Sequence, residues 1–256
     1  FVAVFANLAH NENRILKISE SLKAYNDRVK DHFANSNRFD GSNTQPFTQY
    51  VEGGSQTSIW GVPSLGIDPA TGEEIFIRPD GSITNTWNTN DQVVLGDMEP
   101  KIQGTFGLNA TYKNLSLYMT FMYEAGGQIY NSTLRDKVED VNVYTSNVDK
   151  RVFSERWQEP GDKARYRKLT SGVGGSIMRT RPTSRFVEDN NVLTLNSISL
   201  GYDFDAGQKW MKTIGLSMLR FEISANDVCR WSSVKVERGL NYPYARSFNF
   251  SLKAAF

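Results

Sequence analysis

The last twelve residues, Ala245-Arg-Ser-Phe-Asn-Phe-Ser-Leu-Lys-Ala-Ala-Phe256, constrain the fold more than any other stretch. Phe248, Phe250, Leu252, Ala254 and Phe256 fall on one side of an extended chain, and Ser247, Asn249, Ser251 and Lys253 on the other. Alternation with period two defines a β-strand with one apolar and one wet face. A strand of this kind belongs either to a soluble sandwich or to the wall of a barrel, and the rest of the sequence has to discriminate.

Composition narrows the choice. Basic and acidic residues number 29 and 28, a balance that argues against a nucleic-acid partner. No run of 18 apolar residues exists, so no transmembrane helix is expected. The mean hydropathy of −0.46 leaves a membrane barrel open, because barrel strands carry only about ten alternating residues each. An alternating segment that stops on Phe is also how outer-membrane barrels usually end. The single Cys229 excludes an internal disulfide and reads as a packing residue. Phe1-Val-Ala-Val-Phe5 already reads as strand interior, so the chain is expected to be a fragment whose earlier part lies elsewhere.

Extended patterns at 1–9, 14–19, 45–51, 56–67, 101–112, 115–124, 190–204, 217–226 and 245–256 give an expectation of about nine strands. Between them lie a polar loop over 20–45 with a short helix near 21–33, and a turn-rich loop over 68–98. The longest loop, 129–189, carries loosely helical spacing over 134–157 and is stopped by Pro160-Gly161. Apolar positions change from odd (Leu193, Leu195) to even (Ile198, Leu200, Tyr202, Phe204), which predicts a β-bulge near Asn196.

The clearest hairpin joins 102–112 to 115–124 through Lys113-Asn114, a link so short that the strands must pair antiparallel. Aromatic residues cluster towards the ends of its apolar face, as bilayer girdles require. With strands alternating in direction, the connections 10–13, 52–55, 113–114 and 205–213 share one rim, and all are short. The longer loops 20–44, 68–98, 129–189 and 232–243 share the other. Short turns on one rim and long loops on the opposite one is the arrangement of outer-membrane barrels, the short turns being periplasmic.

These stretches resemble the C-terminal quarter or so of the SusC/RagA-type TonB-linked outer-membrane transporters of Bacteroidetes. The resemblance rests on Asn11-Glu-Asn-Arg-Ile-Leu-Lys17, Gly66-Ile-Asp-Pro-Ala-Thr-Gly72, Leu95-Gly-Asp-Met-Glu-Pro-Lys101 and Ala125-Gly-Gly-Gln-Ile-Tyr-Asn131. Arg156-Trp-Gln-Glu-Pro-Gly-Asp162, Leu195-Asn-Ser-Ile-Ser-Leu-Gly-Tyr202 and the tail from Tyr242 add to it, all in order. The loop 232–242 is short for the family, and Asp227-Val-Cys229 departs from its pattern. The resemblance implies an antiparallel transmembrane β-barrel of about 22 strands around a plug domain. It also implies a SusD-like surface lipoprotein as lid, TonB engaging the N-terminal region, and oligosaccharides or peptides as cargo. Residues 1–256 are then a C-terminal barrel portion, with plug and earlier strands outside it.

Candidate chemistry is sparse. Asp136, Glu139, Asp140, Glu155 and Glu159 invite comparison with the paired carboxylates of a glycosidase, but among Lys137, Lys150, Arg151 and Arg156 they read as a solvated surface. Asp68, Asp80 and Asp97 read as turn residues and not as calcium ligands. His10 and His32 form no zinc motif, and Gly172, Gly174 and Gly175 no phosphate loop. No cofactor and no enzymatic activity are expected. The candidate substrate contacts are Trp60, Trp87, Tyr130, Tyr144, Trp157 and Trp231, placed on or near the outer rim, because aromatic faces stack on sugars and cover peptides. Lys101, Gln103, Asn109, Glu124, Arg220, Glu222, Asn226, Asn249 and Lys253 are expected to face a hydrated lumen. Phe248, Phe250, Leu252 and Phe256 form the expected barrel-assembly signal. The expectation is nutrient import across the outer membrane, with lipid, the rest of the barrel, plug, lipoprotein and TonB as partners. The alternative is a soluble, secreted carbohydrate-binding β-sandwich.

Overall fold

The computed structural model describes residues 1–36, 41–169, 177–205, 207–235 and 246–256. The sequence-level readings at Gly172–Gly175 and over most of 232–243, and Ala245 of the closing segment, lie outside the described residues. In chain order the elements are β1 (Val2–His10), α1 (Glu20–Asn35), β2 (Ser58–Gly61), β3 (Ser64–Ile67), β4 (Glu74–Ile77), β5 (Ile83–Thr84) and β6 (Val93–Asp97). Then come β7 (Ile102–Tyr112), β8 (Leu115–Tyr130), α2 (Ser132–Leu134), α3 (Arg151–Ser154), β9 (Val187–Asp203), α4 (Lys209–Thr213), β10 (Met218–Ser232) and β11 (Ser247–Ala255). They divide into two units: Phe1–Asn11, Pro100–Gly126 and Asn190–Phe256 form the first, Glu12–Glu99 and Gly127–Asp189 the second.

The first unit is built on a six-stranded sheet of order β1-β7-β8-β9-β10-β11. The pairs β1–β7, β7–β8, β9–β10 and β10–β11 are antiparallel. The predicted hairpin is present, with Tyr112 opposite Leu115 and Lys113 at φ 53°, the left-handed backbone that closes so short a link. The closing strand is present as β11, paired on one side with β10.

Six strands in this sheet correct the expected nine. Segments 14–19 and 45–51 are not strands, and 56–67 splits into β2 and β3, which pair outside this sheet. The physical reason is length for the first two, since a tilted strand needs about 9–11 residues to cross a bilayer, and Pro63 for the third, which lacks the N–H that would continue one ladder from β2 into β3. Ile15 instead exchanges backbone hydrogen bonds with Gly53 and Gly54 (2.7 and 2.8 Å). Hence 10–13 and 52–55 are not short rim turns; they belong to one connection, 11–101. The segregation of connections survives in part: the two longest leave one end and the shortest the other, while 204–217 and 233–246, at opposite ends, are equal in length. Connections 11–101, 131–186 and 233–246 leave one end of the strands, and 113–114 and 204–217 the other.

The bulge falls one strand away from its predicted position. Between Asn226 and Cys229, β10 carries one residue more than β9 does between Ser197 and Leu195. Asp227 takes φ 50° there, a left-handed conformation that Asp tolerates better than most residues.

In the second unit, α1 occupies the region where a helix was expected. Ser19 caps it by accepting the Leu22 N–H (3.3 Å), and Val29 and Phe33 are its buried face. One apolar cluster gathers Val29, Phe33, Val62, Phe76 and Trp87, and another Ile59, Tyr130, Leu134, Val138, Val152, Tyr166 and Phe186. The helical reading of 134–157 holds at its ends, in α2 with the wide turn Arg135–Glu139 that follows it and in α3.

Candidate functional site

The sheet sorts its side chains by face. Cross-strand partners sit on the same side, and the registers match apolar with apolar: Val4 with Leu108, Leu108 with Met119, Phe106 with Phe121. Farther along, Leu200 pairs with Ile223, Ile223 with Phe250, and Phe221 with both Tyr202 and Leu252. This band runs through all six strands, and much of it is uncovered, Phe250 being 71% and Leu252 68% exposed. A sandwich would bury such a face against a second sheet.

The opposite face carries the expected polar set: Gln103 opposite Glu124, Asn109 opposite Tyr118, Arg220 opposite Lys253, Asn226 opposite Ser247. Its centre is Arg220, which reaches Asp203 (3.1 Å), Glu222 (3.3 Å) and the Ser116 hydroxyl (3.0 Å). Gly201 makes that reach possible, since a Cβ there would stand 2.6 Å from Arg220 Nη2 and 2.7 Å from Ser116 Oγ. The guanidinium thus ties β8, β9 and β10 together across a glycine. An apolar island interrupts this face where Phe5 stacks on Tyr118, centroids 6.1 Å apart.

The bulge also re-aims the end of β10. One extra residue reverses which face a strand's side chains meet. Cys229 pairs with Leu195 and Trp231 with Leu193, on the face of Ser197 and Asn226. Trp231, half exposed, therefore joins the polar face and not the apolar band. The odd-to-even change in β9 has the same origin: Leu193 and Leu195 line that face beside Trp231.

The second unit holds a network that the sequence did not reveal. Arg185 lies between Glu74 (2.7 Å) and Glu139 (2.6 Å), and Arg167 contacts Asp140 (3.0 Å) and Glu139 (3.4 Å). Thr180 donates to Glu139 (2.7 Å), and its N–H to Asp140 (2.8 Å). Glu139 and Asp140 are each 1% exposed, which corrects the reading of these carboxylates as a solvated surface. Burial pushes Glu139 upward, but Arg185 and Arg167 outweigh it and hold the carboxyl down at about 2. Asp140 is raised, burial prevailing over Arg167 with Glu139 adding to it. Both carboxylates are committed to arginines, as in a structural clamp.

The stretches that carried the resemblance meet one another. Asn13 donates to Glu99 (2.7 Å) and accepts from Ser55 (2.9 Å), joining the first and third of them. Trp157 lies on Gly72, where a Cβ would approach its ring to 2.5 Å, and its indole N–H donates to Pro69 O (2.9 Å). Arg156 donates to the carbonyls of Val152, Val138 and Arg167 (2.5–3.0 Å), and Asp162 accepts the N–H groups of Gln158 and Glu159. Asp68 and Asp80 accept within their own turns, and those hydrogen bonds lower both carboxyls. Asp97 accepts from Thr57 (2.5 Å) and the Glu99 N–H.

The six candidate aromatics do not form one group. Trp87 is buried in an apolar cluster, stacked under Arg181 and donating to Pro182 O (3.0 Å), and Tyr130 is buried in the other. Burial closes both of these rings to solvent. Trp60 is half-buried in β2 and Trp157 half-buried on Gly72, whereas Tyr144 (79% exposed) and Trp231 are open. Phe248, Phe250 and Leu252 are exposed on the apolar face of β11, and Phe256 is exposed beyond its end.

No family model matches the chain. It is 23% identical over 230 residues to TonB-dependent receptor P3 of Formosa agariphila, a match covering 87% of this chain and 21% of that protein. It is 24% identical over 149 residues to receptor P26 of the same organism, covering 58% and 14%. The chain spans about a fifth of the length of the first of these relatives. Its fold matches the RagAB peptide transporter with TM-score 0.66 at 20% identity, over 92% of this chain and 24% of that one. For the RagAB peptide importer in a "closed-closed" state the TM-score is 0.70 at 20% identity, over 100% and 27%. The chain thus resembles part of a SusC/RagA-type TonB-linked outer-membrane transporter.

Proposed function

Starting from that resemblance, we propose that residues 1–256 are the C-terminal barrel wall and outer loops of a TonB-dependent nutrient importer. One observation carries the reading: an uncovered apolar band pairs in register through the sheet, while the two longest connections, 11–101 and 131–186, leave from one end of it. The relatives are named as receptors and transporters, in keeping with a role without covalent chemistry.

The six strands are a share of a barrel of about 22. β1 and β11 are the edges of the described sheet. An edge in hydrocarbon leaves N–H and C=O groups without partners, so each edge pairs with a strand from the rest of the protein. Plug and TonB contact lie in that remainder, and a SusD-like lipoprotein covers the rim with the long connections. The cargo is an oligosaccharide or a peptide, and the fold likeness to a peptide importer favours the peptide. Tyr144 and Trp231 are the aromatics best placed to touch it, Trp231 because the bulge turns it to the polar face.

The test is extraction of the native protein in detergent, with identification of what travels with it by mass spectrometry. Recovery with a plug-bearing barrel and a lipoprotein is the expected result. A chain that is monomeric and soluble without detergent overturns the proposal in favour of a soluble sandwich. Trp231→Ala is expected to lower cargo affinity by about tenfold without loss of barrel assembly.

A further inference from the structure

The connection 204–217 carries features that barrel closure alone does not require. Tyr202 lies on the apolar face, opposite Phe221. From it a ladder of rings leaves the sheet: Tyr202 meets Phe204 edge to face at 5.0 Å, and Phe204 meets Trp210 of α4 at 6.0 Å. The Trp210 indole N–H donates to the Gln208 side chain. Met211 is fully buried and pins the helical turn, while Trp210 (43%) and Ile214 (55%) remain exposed. Beside them Lys209 and Lys212 are exposed, and no ion pair engages either among the described residues. Asp203 is taken by Arg220, and Asp205 by the Gly207 N–H. A third lysine, Lys113, sits over the Tyr112 ring at 5.5 Å, and its turn abuts this one through the Asp203 N–H to Asn114 O bond (2.8 Å).

Aromatic rings with one wet edge settle where acyl chains meet headgroups, and they do so in any lipid. Lysines beside them add a preference for anionic headgroups, their stems lying along the apolar surface. We propose that α4 and its flanks anchor the barrel to anionic phospholipid in the leaflet on the short-connection side. Trp210 and Ile214 enter below the headgroups, and Lys209 and Lys212, with Lys113 adjoining, hold the phosphates. The occupant is lipid because the ladder is continuous with the apolar band and the cationic groups border it. This rests on the outer-membrane reading above.

The experiment uses the full-length receptor containing this chain, inserted into phosphatidylcholine vesicles. The probes are phosphatidylglycerol and phosphatidylcholine brominated at the 6,7 positions, compared at equal mole fraction. Subtracting the emission of Trp210→Phe isolates the Trp210 signal, and identical leaflets make orientation immaterial. The expected result is quenching by both lipids, about twofold greater with the phosphatidylglycerol. In Lys209→Gln/Lys212→Gln the two become equal. A Trp210 signal untouched by either lipid, or equal quenching in the wild type, overturns the anchor. So does quenching that inorganic phosphate abolishes, which assigns the lysines to a free anion. Insertion is read separately by heat-modifiable migration: a receptor that never inserts overturns the outer-membrane reading as well, whereas one that inserts with Trp210 unquenched overturns the anchor alone.

Discussion

Arg185 shows how one side chain fixes the second unit. Its partner Glu74 lies 111 residues away, and Glu139 approaches from a third segment. Arg185→Met strands two buried carboxylates and is expected to destabilise that unit by about 3–5 kcal/mol. Hydrogen exchange should show faster amides over 135–140 and 180–186, with those of 102–112 unchanged. Acid has a definite sign here. Glu139 is depressed to about 2, so its contribution is complete above the ordinary carboxylate range and is lost as pH falls towards that value. Asp140, raised by burial, works in the other sense and is relieved by protonation. Exchange over 135–140 followed from pH 6 downwards should therefore accelerate below about pH 4, and in Glu139→Gln the acceleration should be lost. None of this was legible in the sequence. The density of arginines and carboxylates over 135–188 was visible, but solvated and buried charge look alike until distant partners are known.

At the scale of elements, period-two patterning is legible where a strand has one wet face. The hairpin 102–112/115–124 and the closing strand emerged from alternation because their two faces meet different surroundings. Segments 14–19 and 45–51 also alternate, yet they are too short to span and were absorbed into the long connection. The change of phase in β9 was visible, but its source lies in β10, where Asp227 makes the bulge. Asp227→Val should cost about 1–2 kcal/mol in denaturant unfolding of the bilayer-inserted barrel, because a β-branched residue tolerates the left-handed backbone poorly. The two faces make a sharper prediction. Phe250→Arg on the apolar band should cost about 2–4 kcal/mol in the same assay, and Asn249→Arg next to it well under 1.

For the whole molecule, the open edges at β1 and β11 set a requirement. Residues 1–256 produced alone are expected to give no heat-modifiable barrel, and co-refolding with the remainder of the receptor is expected to restore it. The end from which the two longest connections leave was legible because it needs only strand order and loop length. The number of strands was not, since each short extended piece was counted as wall.

The bond between Asn13 and Glu99 has a consequence for assembly. β1 and β7 pair across a connection whose ends, His10 and Lys101, stand 91 residues apart. Were that connection slack, closing it would cost roughly 3 kcal/mol more entropy than closing the two-residue link of the β7–β8 hairpin. It is not slack: Asn13, Ser55, Thr57, Asp97 and Glu99 fasten its two ends within the second unit. Once that clasp has formed, β1 and β7 leave it as the arms of a hairpin, and the effective ring to be closed is a few residues long. Contact order measured along the chain then overstates how slowly this pair zips.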